Sequence, residues 1–236
     1  MKWPGTLLPA RFVRRDNRFR AQVTLDGELI SAHVPNSGRL GELLVPGAAV
    51  WIRRHDRGAA RKTASDLVLV AYSGVLVSID SRLPNTLLAQ ALTSRSVPQF
   101  AGYTEIIPEV TVGQSRLDFL LSTGQGTSGS ERCWVETKSV TLVEDRTALF
   151  PDAPTERGLR HLRELMDLRE RYGDRVAVVF VIQRPDAVAF APHPTAHPAF
   201  AAMLREAWQA GVEVVAQRCQ VDLNEISLAD RVAVHL

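Results

Sequence analysis

Short runs rich in valine, isoleucine and aromatic residues follow one another through the first eighty residues, and no long helical pattern interrupts them. The runs are FRAQVTL, LISAHV, AAVWIRR, DLVLVAY and GVLVSID. Turn signals such as Asp26-Gly27 and Ser73-Gly74 separate them, and the residue types are those of strands. Five short strands without a long helix predict a small barrel or sandwich in residues 1–81.

The pattern changes near Pro84, where helix-like and strand-like segments begin to alternate. The candidate helices are NTLLAQALTSRSV, residues 155–172, and PAFAAMLREAWQAG, which ends at the capping residue Gly211. The candidate strands are EIIPEVTVG, SRLDFLLS, CWVETKSV, VAVVFVIQ and, as the last one expected, VEVVAQ. VAVVFVIQ is almost entirely apolar, which is typical of a strand buried on both faces. Residues 82–236 are therefore predicted to form a second domain, of the α/β class.

Composition and charge narrow the class of protein. The two cysteines, Cys133 and Cys219, are too few for a disulfide framework and fit a reducing cytoplasm. The N-terminus lacks a signal-peptide pattern, and no apolar run approaches the roughly 20 residues of a membrane span. The formal net charge of +2 is compatible with a nucleic-acid partner if the positive charge is concentrated locally. We expect a soluble cytoplasmic protein, for which a homodimer is one possible assembly.

Two acidic residues and a lysine stand out in the strand-like segments of the second domain. Asp118 interrupts the apolar run RLDFLL, where an uncompensated charge would be costly. Glu136 and Lys138 lie two residues apart in WVETKSV, so a strand directs both to one face. Two carboxylates could bind Mg²⁺ (or Mn²⁺) together with a phosphate, and Glu109 is a further candidate ligand. Lys138 could position a water or offset negative charge on the phosphate. An ordinary surface ion pair explains the three residues about equally well.

The helix predicted over residues 155–172 has two different faces. An apolar stripe is made by Leu159, Leu162, Leu165 and Met166. The opposite face carries Arg157, His161 and Glu164. Placed against the sheet edge, that face could bring a base or phosphate contacts to the acidic pair. For the helix taken alone, a solvated charged face is the simpler expectation.

Four segments in order make the chain resemble one family over nearly its whole length. The segments are HVPNSGRLGELLVPG, SRLDFLL, WVETKSVTL and FPDAPTERGLRHLREL. Together they closely resemble the sugar fermentation stimulation protein A (SfsA) family. The resemblance implies an N-terminal OB-fold-like β-barrel followed by a restriction-endonuclease-like, PD-(D/E)xK α/β domain. It also implies DNA binding and a link to the regulation of sugar-use genes.

The resemblance also implies roles for individual residues. Asp118 matches the acid of the nuclease motif, and Glu136 and Lys138 match its E-x-K, so Asp118 and Glu136 are the expected metal ligands. The family's R-G-x-x-H-L-x-E-L helix is matched at Arg157, His161 and Glu164. On this match His161 and Glu164 are expected to act with the catalytic residues, and Arg157 is expected to contact nucleic acid.

The predicted barrel carries its own candidate contacts. Asn36-Ser37-Gly38 is a turn sequence whose backbone amides, with Arg39 and His33, could hold a phosphate or a carboxylate. A plain tight turn is the alternative for the tripeptide alone, and the family motif favours a functional loop. The stretch RRHDRGAARK is strongly basic, and within it Arg61 and Lys62 are candidate nucleic-acid contacts. A solvated loop explains that stretch about equally well.

The leading prediction is a DNA-binding protein with a magnesium-dependent phosphodiesterase site on a nuclease-like domain. The barrel and the basic loop would hold the nucleic acid, and Asp118, Glu136 and Lys138 would cleave it. The rival prediction is a non-catalytic DNA-binding transcriptional regulator that retains the nuclease scaffold. A third prediction is action on a different phosphate or nucleotide substrate.

Overall fold

The N-terminal barrel is closed by the pairing of its third and fifth strands. In the computed structural model, which describes residues 1–55, 63–113, 115–124 and 131–236, six strands build this domain. They are β1 (Leu7–Asn17), β2 (Arg20–Leu25), β3 (Glu28–His33), β4 (Ala49–Arg54), β5 (Ser65–Tyr72) and β6 (Val75–Ser78). Their order is β3-β2-β1-β4-β5-β6, and a parallel bridge between His33 and Asp66 joins β3 to β5. The predicted OB-fold-like barrel is confirmed.

The strand set differs from the five predicted runs at both of its ends. β1 lies outside those runs because it is largely exposed and rich in arginine, and only Ala10 and Phe12 in it are buried. The fifth predicted run forms β6, which extends β5 as a hairpin outside the closed part of the barrel. The barrel core is filled by aliphatic side chains that include Val23, Val50, Ile52, Leu67 and Val70.

The second domain combines one large mixed sheet with three helices and a small additional sheet. Its elements are α1 (Leu83–Thr93), β7 (Glu105–Val112), β8 (Ser115–Ser122), β9 (Arg132–Val140), β10 (Val143–Glu144), β11 (Thr147–Phe150), α2 (Glu156–Tyr172), β12 (Arg175–Ile182), β13 (Ala189–Pro192), α3 (Pro198–Gln209), β14 (Glu213–Val221), β15 (Ile226–Arg231) and β16 (Ala233–Val234). The main sheet has the order β15-β14-β12-β9-β8-β7, in which β9, β12 and β14 are parallel and the other neighbours antiparallel. The predicted restriction-endonuclease-like domain is confirmed.

The helices of this domain follow the sequence pattern more closely than its short strands do. α2 begins after Thr155, whose hydroxyl accepts the Gly158 N–H at 3.0 Å, and it ends at Gly173 with φ 68°. β15 and the small sheet β10-β11-β13-β16 were not expected, and β14 is not the last strand. Two- to four-residue strands are too short to show a period in sequence. No helix in the described ranges is long and apolar enough to cross a membrane.

The register of the main sheet decides which face Glu136 and Lys138 occupy. β9 pairs with β12 so that Glu136 lies opposite Val178 and Lys138 opposite Phe180. Val178 and Phe180 belong to the core beneath α2 and α3, whereas Val135 belongs to the core beneath α1. Because neighbouring strands in register share a face, Glu136 and Lys138 point towards α2.

Candidate active site

Asp118 lies where the ladder between β8 and β9 ends. The last paired residues are Phe119 and Val135, so Asp118 is the first residue of β8 without a partner on β9. The backbone N–H of Thr137 donates instead to Asp118 Oδ2 at 2.7 Å, and Asn85 Nδ2 of α1 donates to Oδ1 at 2.6 Å. The separation of the two strands therefore makes room for the carboxylate, and two hydrogen bonds fix its orientation.

Glu136 is the centre of a buried charged cluster. Its residue exposure is 2%, against 9% for Lys138 and 1% for His161. Oε1 of Glu136 accepts from Lys138 Nζ at 2.5 Å and is also contacted by His161 Nδ1. Oε2 is buried and has no hydrogen-bond partner among the described residues. The alternative of an ordinary surface ion pair does not fit, because Glu136 and Lys138 are buried and Asp118 is half-buried.

The second nitrogen of His161 indicates which tautomer the imidazole adopts. Arg157 Nε donates to His161 Nε2 at 3.3 Å. A ring nitrogen that accepts a hydrogen bond carries no proton, so the neutral imidazole has its proton on Nδ1 and donates it to Glu136. Lys138 Nζ lies 3.4 Å from the same Nδ1 as a close neighbour rather than a donor to it. Arg157 thus selects the tautomer with which His161 holds Glu136.

Burial and charge shift the two carboxyl pKa values in opposite directions. Burial would raise the pKa of Glu136, but the charge of Lys138 and the contacts of His161 outweigh it, and the pKa is lowered. The pKa of Asp118 is raised by burial first and by the negative charge of Glu136 second, against the hydrogen bonds from Thr137 and Asn85. A cation bound by both carboxylates would relieve their mutual repulsion.

The two carboxylates fit a hard divalent cation. Glu136 Oε2 is unpartnered among the described residues, and each Asp118 oxygen accepts one hydrogen bond, so lone pairs remain on both groups. Within the described ranges, no three His, Cys, Asp or Glu side chains are grouped to hold a metal. Two carboxylates leave the other positions to water and phosphate, which is common for Mg²⁺. Glu109 does not join them, because it is exposed on β7 and pairs with Arg116 at 3.4 Å.

The structure separates the three residues predicted to share one face of α2. Arg157 is exposed at the cleft, and His161 is buried with Leu162 on the packed side of the helix. The expectation that His161 lies opposite the apolar stripe is wrong, because His161 is on the side of α2 that packs against the sheet, where it contacts Glu136. Glu164 is half-buried, and its Oε1 lies 2.7 Å from the position that a Cβ on Gly113 would take. Glu164 therefore faces the turn after β7 and is not brought into the acidic cluster.

A cleft of about 820 Å³ lies between the two domains, with the acidic cluster at its floor. Four of the predicted nucleic-acid contacts line it: Asn36, Gly38, Arg39 and Arg157. Polar and charged lining residues that the sequence did not indicate as contacts include Arg15, Arg18, Asn85 and Asp152. Arg15 lies in the unexpected strand β1, and Asn85 begins a predicted helix with no local sign that it would reach Asp118. Their roles depend on contacts between segments distant in sequence.

Two family profiles match the chain. The SfsA N-terminal OB domain matches residues 13–79, and the sugar fermentation stimulation protein RE domain matches residues 82–225. The chain belongs to the SfsA family. A sugar fermentation stimulation protein homolog of Moorella thermoacetica is 50% identical over 233 residues, which cover 99% of this chain and 98% of the relative. The homolog of Chloroflexus aurantiacus is 46% identical over 228 residues, with coverage of 97% and 85%.

A solved structure within the SfsA family has the same fold over its full length. The structure of Pyrococcus furiosus SfsA in complex with Ca²⁺ is 33% identical in sequence and has a TM-score of 0.88. The similarity covers 100% of both chains. Both domains of the present chain therefore have counterparts in that SfsA protein.

In this SfsA chain the predicted anion loop already binds a carboxylate, supplied by its own second domain. We call residues 36–39 the 36–39 loop. Gly38 N donates to Asn36 Oδ1 at 2.7 Å, and Arg39 N donates to Asp152 Oδ2 at 2.8 Å. The guanidinium of Arg15 donates to the carbonyls of Asn36, Gly38 and Arg39 at 3.0, 2.8 and 2.7 Å. The loop is thus more than a plain tight turn, and it joins the two domains.

His33 does not join the 36–39 loop of the SfsA chain. Its Nδ1 lies 3.1 Å from Asp66 Oδ1, and it lines a second cleft, of about 620 Å³, on the barrel. The reason is that His33 pairs with Asp66 where β3 meets β5 and the barrel closes. Arg61 and Lys62, the predicted contacts in the basic stretch, lie outside the described residues.

Proposed function

We propose that this SfsA chain binds DNA in the interdomain cleft and hydrolyses phosphodiester bonds there with a divalent cation, Mg²⁺ or Mn²⁺. The observation that carries the proposal is the cleft floor, which Asp118, Glu136 and Lys138 line. Oε2 of Glu136 has no hydrogen-bond partner among the described residues. The positively charged side chains of the cleft walls are Arg15, Arg18, Arg39 and Arg157. The arginines would attract the phosphates of a nucleic-acid strand. A cation bound by the carboxylates of the floor would contact one of those phosphates.

Asp118 and Glu136 are the residues that would hold the cation. Their oxygens are the ligands that hard divalent cations prefer, and lone pairs are free on both groups. When bound, the cation would lower the pKa of a water and stabilise charge on the phosphate. The complex of Pyrococcus furiosus SfsA with Ca²⁺ supports a divalent site in a protein of this fold.

Lys138, His161 and Arg157 have separate roles beside the cation. Lys138 places a positive charge beside Glu136, where it would offset negative charge on the phosphate as water attacks phosphorus and a P–O ester bond breaks. His161 orients Glu136 through Nδ1–H, and Arg157 fixes the tautomer that makes this possible. His161 and Arg157 are therefore assigned as positioning residues that act through Glu136.

Cleavage assays with a Lys138→Ala variant test the proposal. Purified protein is incubated with single- and double-stranded DNA and RNA, with Mg²⁺ or Mn²⁺. We expect metal-dependent cleavage that falls at least about 10²-fold in the variant, because charge stabilisation at the phosphate is lost. Equal cleavage by both proteins would indicate a contaminating nuclease and overturn the assignment. DNA binding without cleavage under either metal would favour the non-catalytic regulator.

Replacing Asn85 with alanine should weaken the metal site without disturbing the core. Asn85 Nδ2 donates to Asp118 Oδ1 at 2.6 Å, and this bond stabilises the charged carboxylate and sets its orientation. We expect the affinity for Ca²⁺, measured by calorimetric titration without nucleic acid, to fall about tenfold. Gln90→Ala, an exposed substitution on the same helix, is the matched control. An unchanged affinity in Asn85→Ala would contradict the assignment of Asp118 as a metal ligand.

A further inference from the structure

Asp152 holds an anionic oxygen against the backbone of the 36–39 loop. Its Oδ2 accepts the Arg39 N–H at 2.8 Å. A Cβ on Gly38 would lie only 2.4 Å from the same oxygen. The backbone of Gly38 is not in the left-handed region, so a glycine is not required there for its torsion angles. Its lack of a side chain instead makes space for an anion.

The loop is organised before any ligand arrives. Arg15 holds the carbonyls of Asn36, Gly38 and Arg39 on one side, and Asn36 Nδ2 is anchored to the carbonyl of Ile79 at 3.0 Å. Because Arg15 binds the carbonyls of the loop, the Arg39 N–H points to Asp152 in the cleft. A backbone N–H held in this way binds an anionic oxygen with little loss of conformational freedom.

The surroundings of Asp152 suit an exchange of anions. Among the described residues no arginine or lysine lies within ion-pair distance of Asp152, although Arg15 is near enough for its charge to act on the carboxylate. Arg18 and Arg39 line the same cleft, and their guanidinium groups make no hydrogen bond or ion pair within the part of the chain that the structure describes. A carboxylate and a phosphodiester each offer an oxygen with one negative charge to a backbone N–H.

We infer that the 36–39 loop is a phosphate subsite of the interdomain cleft, which Asp152 occupies until a phosphate of the nucleic-acid strand replaces it. This inference rests on the proposed function. The phosphate that accepts the Arg39 N–H is not the one cleaved, because the acidic floor supplies the site for hydrolysis. Asp152 then acts as an internal competitor that a bound strand must displace.

Two substitutions that should change the affinity for DNA in opposite directions test the inference. Binding of a fluorescent single-stranded DNA and of a duplex is measured by anisotropy in the Lys138→Ala background, where the strand stays intact. Asp152→Asn should bind about three- to tenfold more tightly, because the charged competitor is removed. Gly38→Ala should bind about tenfold more weakly, because its Cβ takes the place of the phosphate oxygen. Glu156→Gln, an exposed change of the same charge nearby, should alter affinity less than about twofold.

The outcomes separate this inference from the proposed function. If Asp152 serves only to join the two domains, both variants will bind more weakly, and the subsite is overturned. If neither the Lys138→Ala protein nor the original protein without metal binds nucleic acid, the proposed function fails and the inference fails with it. If Asp152→Asn does not fold, the Arg39 amide resonance of the unaltered protein is followed instead while the DNA is added without metal. A shift of that resonance supports the subsite, and an unmoved resonance overturns it.

Discussion

Replacing Glu136 with glutamine is expected to abolish metal-dependent cleavage and to lower the free energy of unfolding by about 3 kcal/mol. Glutamine removes the charge that would bind the cation, a loss of several kcal/mol that corresponds to roughly 10³-fold in rate. It also leaves the ammonium of Lys138 buried, at 9% exposure, without its anionic partner at 2.5 Å. Urea unfolding and cleavage kinetics on the same preparation measure both effects.

A double variant separates the two consequences of the Glu136 substitution. Glu136→Gln with Lys138→Met removes both charges, and an apolar side chain of similar length can replace a buried ion pair at little cost. We expect the double variant to regain most of the lost stability and to remain inactive. Glu170→Gln, an exposed change near the end of α2, should affect neither quantity. Cleavage by Glu136→Gln at a tenth of the original rate or more would show that Glu136 is not a metal ligand.

Replacing Asp66 with asparagine is expected to destabilise the fold by about 3–5 kcal/mol at neutral pH. The Asp66 side chain is fully buried and accepts from Arg53 at 3.0 Å and Arg82 at 2.8 Å. Its second oxygen lies 3.1 Å from His33 and 3.0 Å from His55. The substitution would remove the anion that Arg53 and Arg82 share where the barrel closes, so that Arg82 keeps its pair with Asp80 and Arg53 loses its acidic partner. Urea unfolding at pH 7 measures the loss.

The same carboxylate predicts how stability depends on pH. Burial would raise the pKa of Asp66, but the hydrogen bonds from Arg82 and His33 outweigh it and lower the pKa to about 2. A lowered pKa means that the stabilisation is present above the unfolded value of about 3.9 and is lost as the pH falls towards 2. About 2 kcal/mol of the difference between the original protein and Asp66→Asn should therefore disappear between pH 5 and pH 2. A pH-independent difference would contradict this account.

An acid on the barrel surface provides the control for Asp66. Asp16 is exposed, pairs with Arg14 at 3.1 Å and accepts a hydrogen bond from Gln22, which lowers its pKa. Exposed ion pairs contribute little to stability, so Asp16→Asn should lower the free energy of unfolding at pH 7 far less than Asp66→Asn does. We expect the two substitutions to differ in their effect on stability because only Asp66 is buried. Both aspartates lie in the barrel, and both pair with arginine.

The sequence pattern predicted elements where side-chain periodicity and burial agree. The apolar run that forms β12 and the capped helix α2 are clear because burial on defined faces selects their residues. β1 was missed because its open face carries arginines and polar residues, which weakens the alternation of a strand. The strands of the small sheet were missed because pairing with distant partners, and not local preference, makes them extended.

By itself, the sequence determined that Glu136 and Lys138 share a face, because side chains alternate along any strand, and that an acid at position 118 needs a partner within an apolar run. The tertiary structure decided what surrounds them. It placed Asn85 against Asp118, buried His161 against Glu136, and set Asp152 on the backbone of Gly38 and Arg39. These contacts join residues from 25 to 113 positions apart. Local periodicity carries no information about such distances, because only the packing of whole elements brings their side chains together.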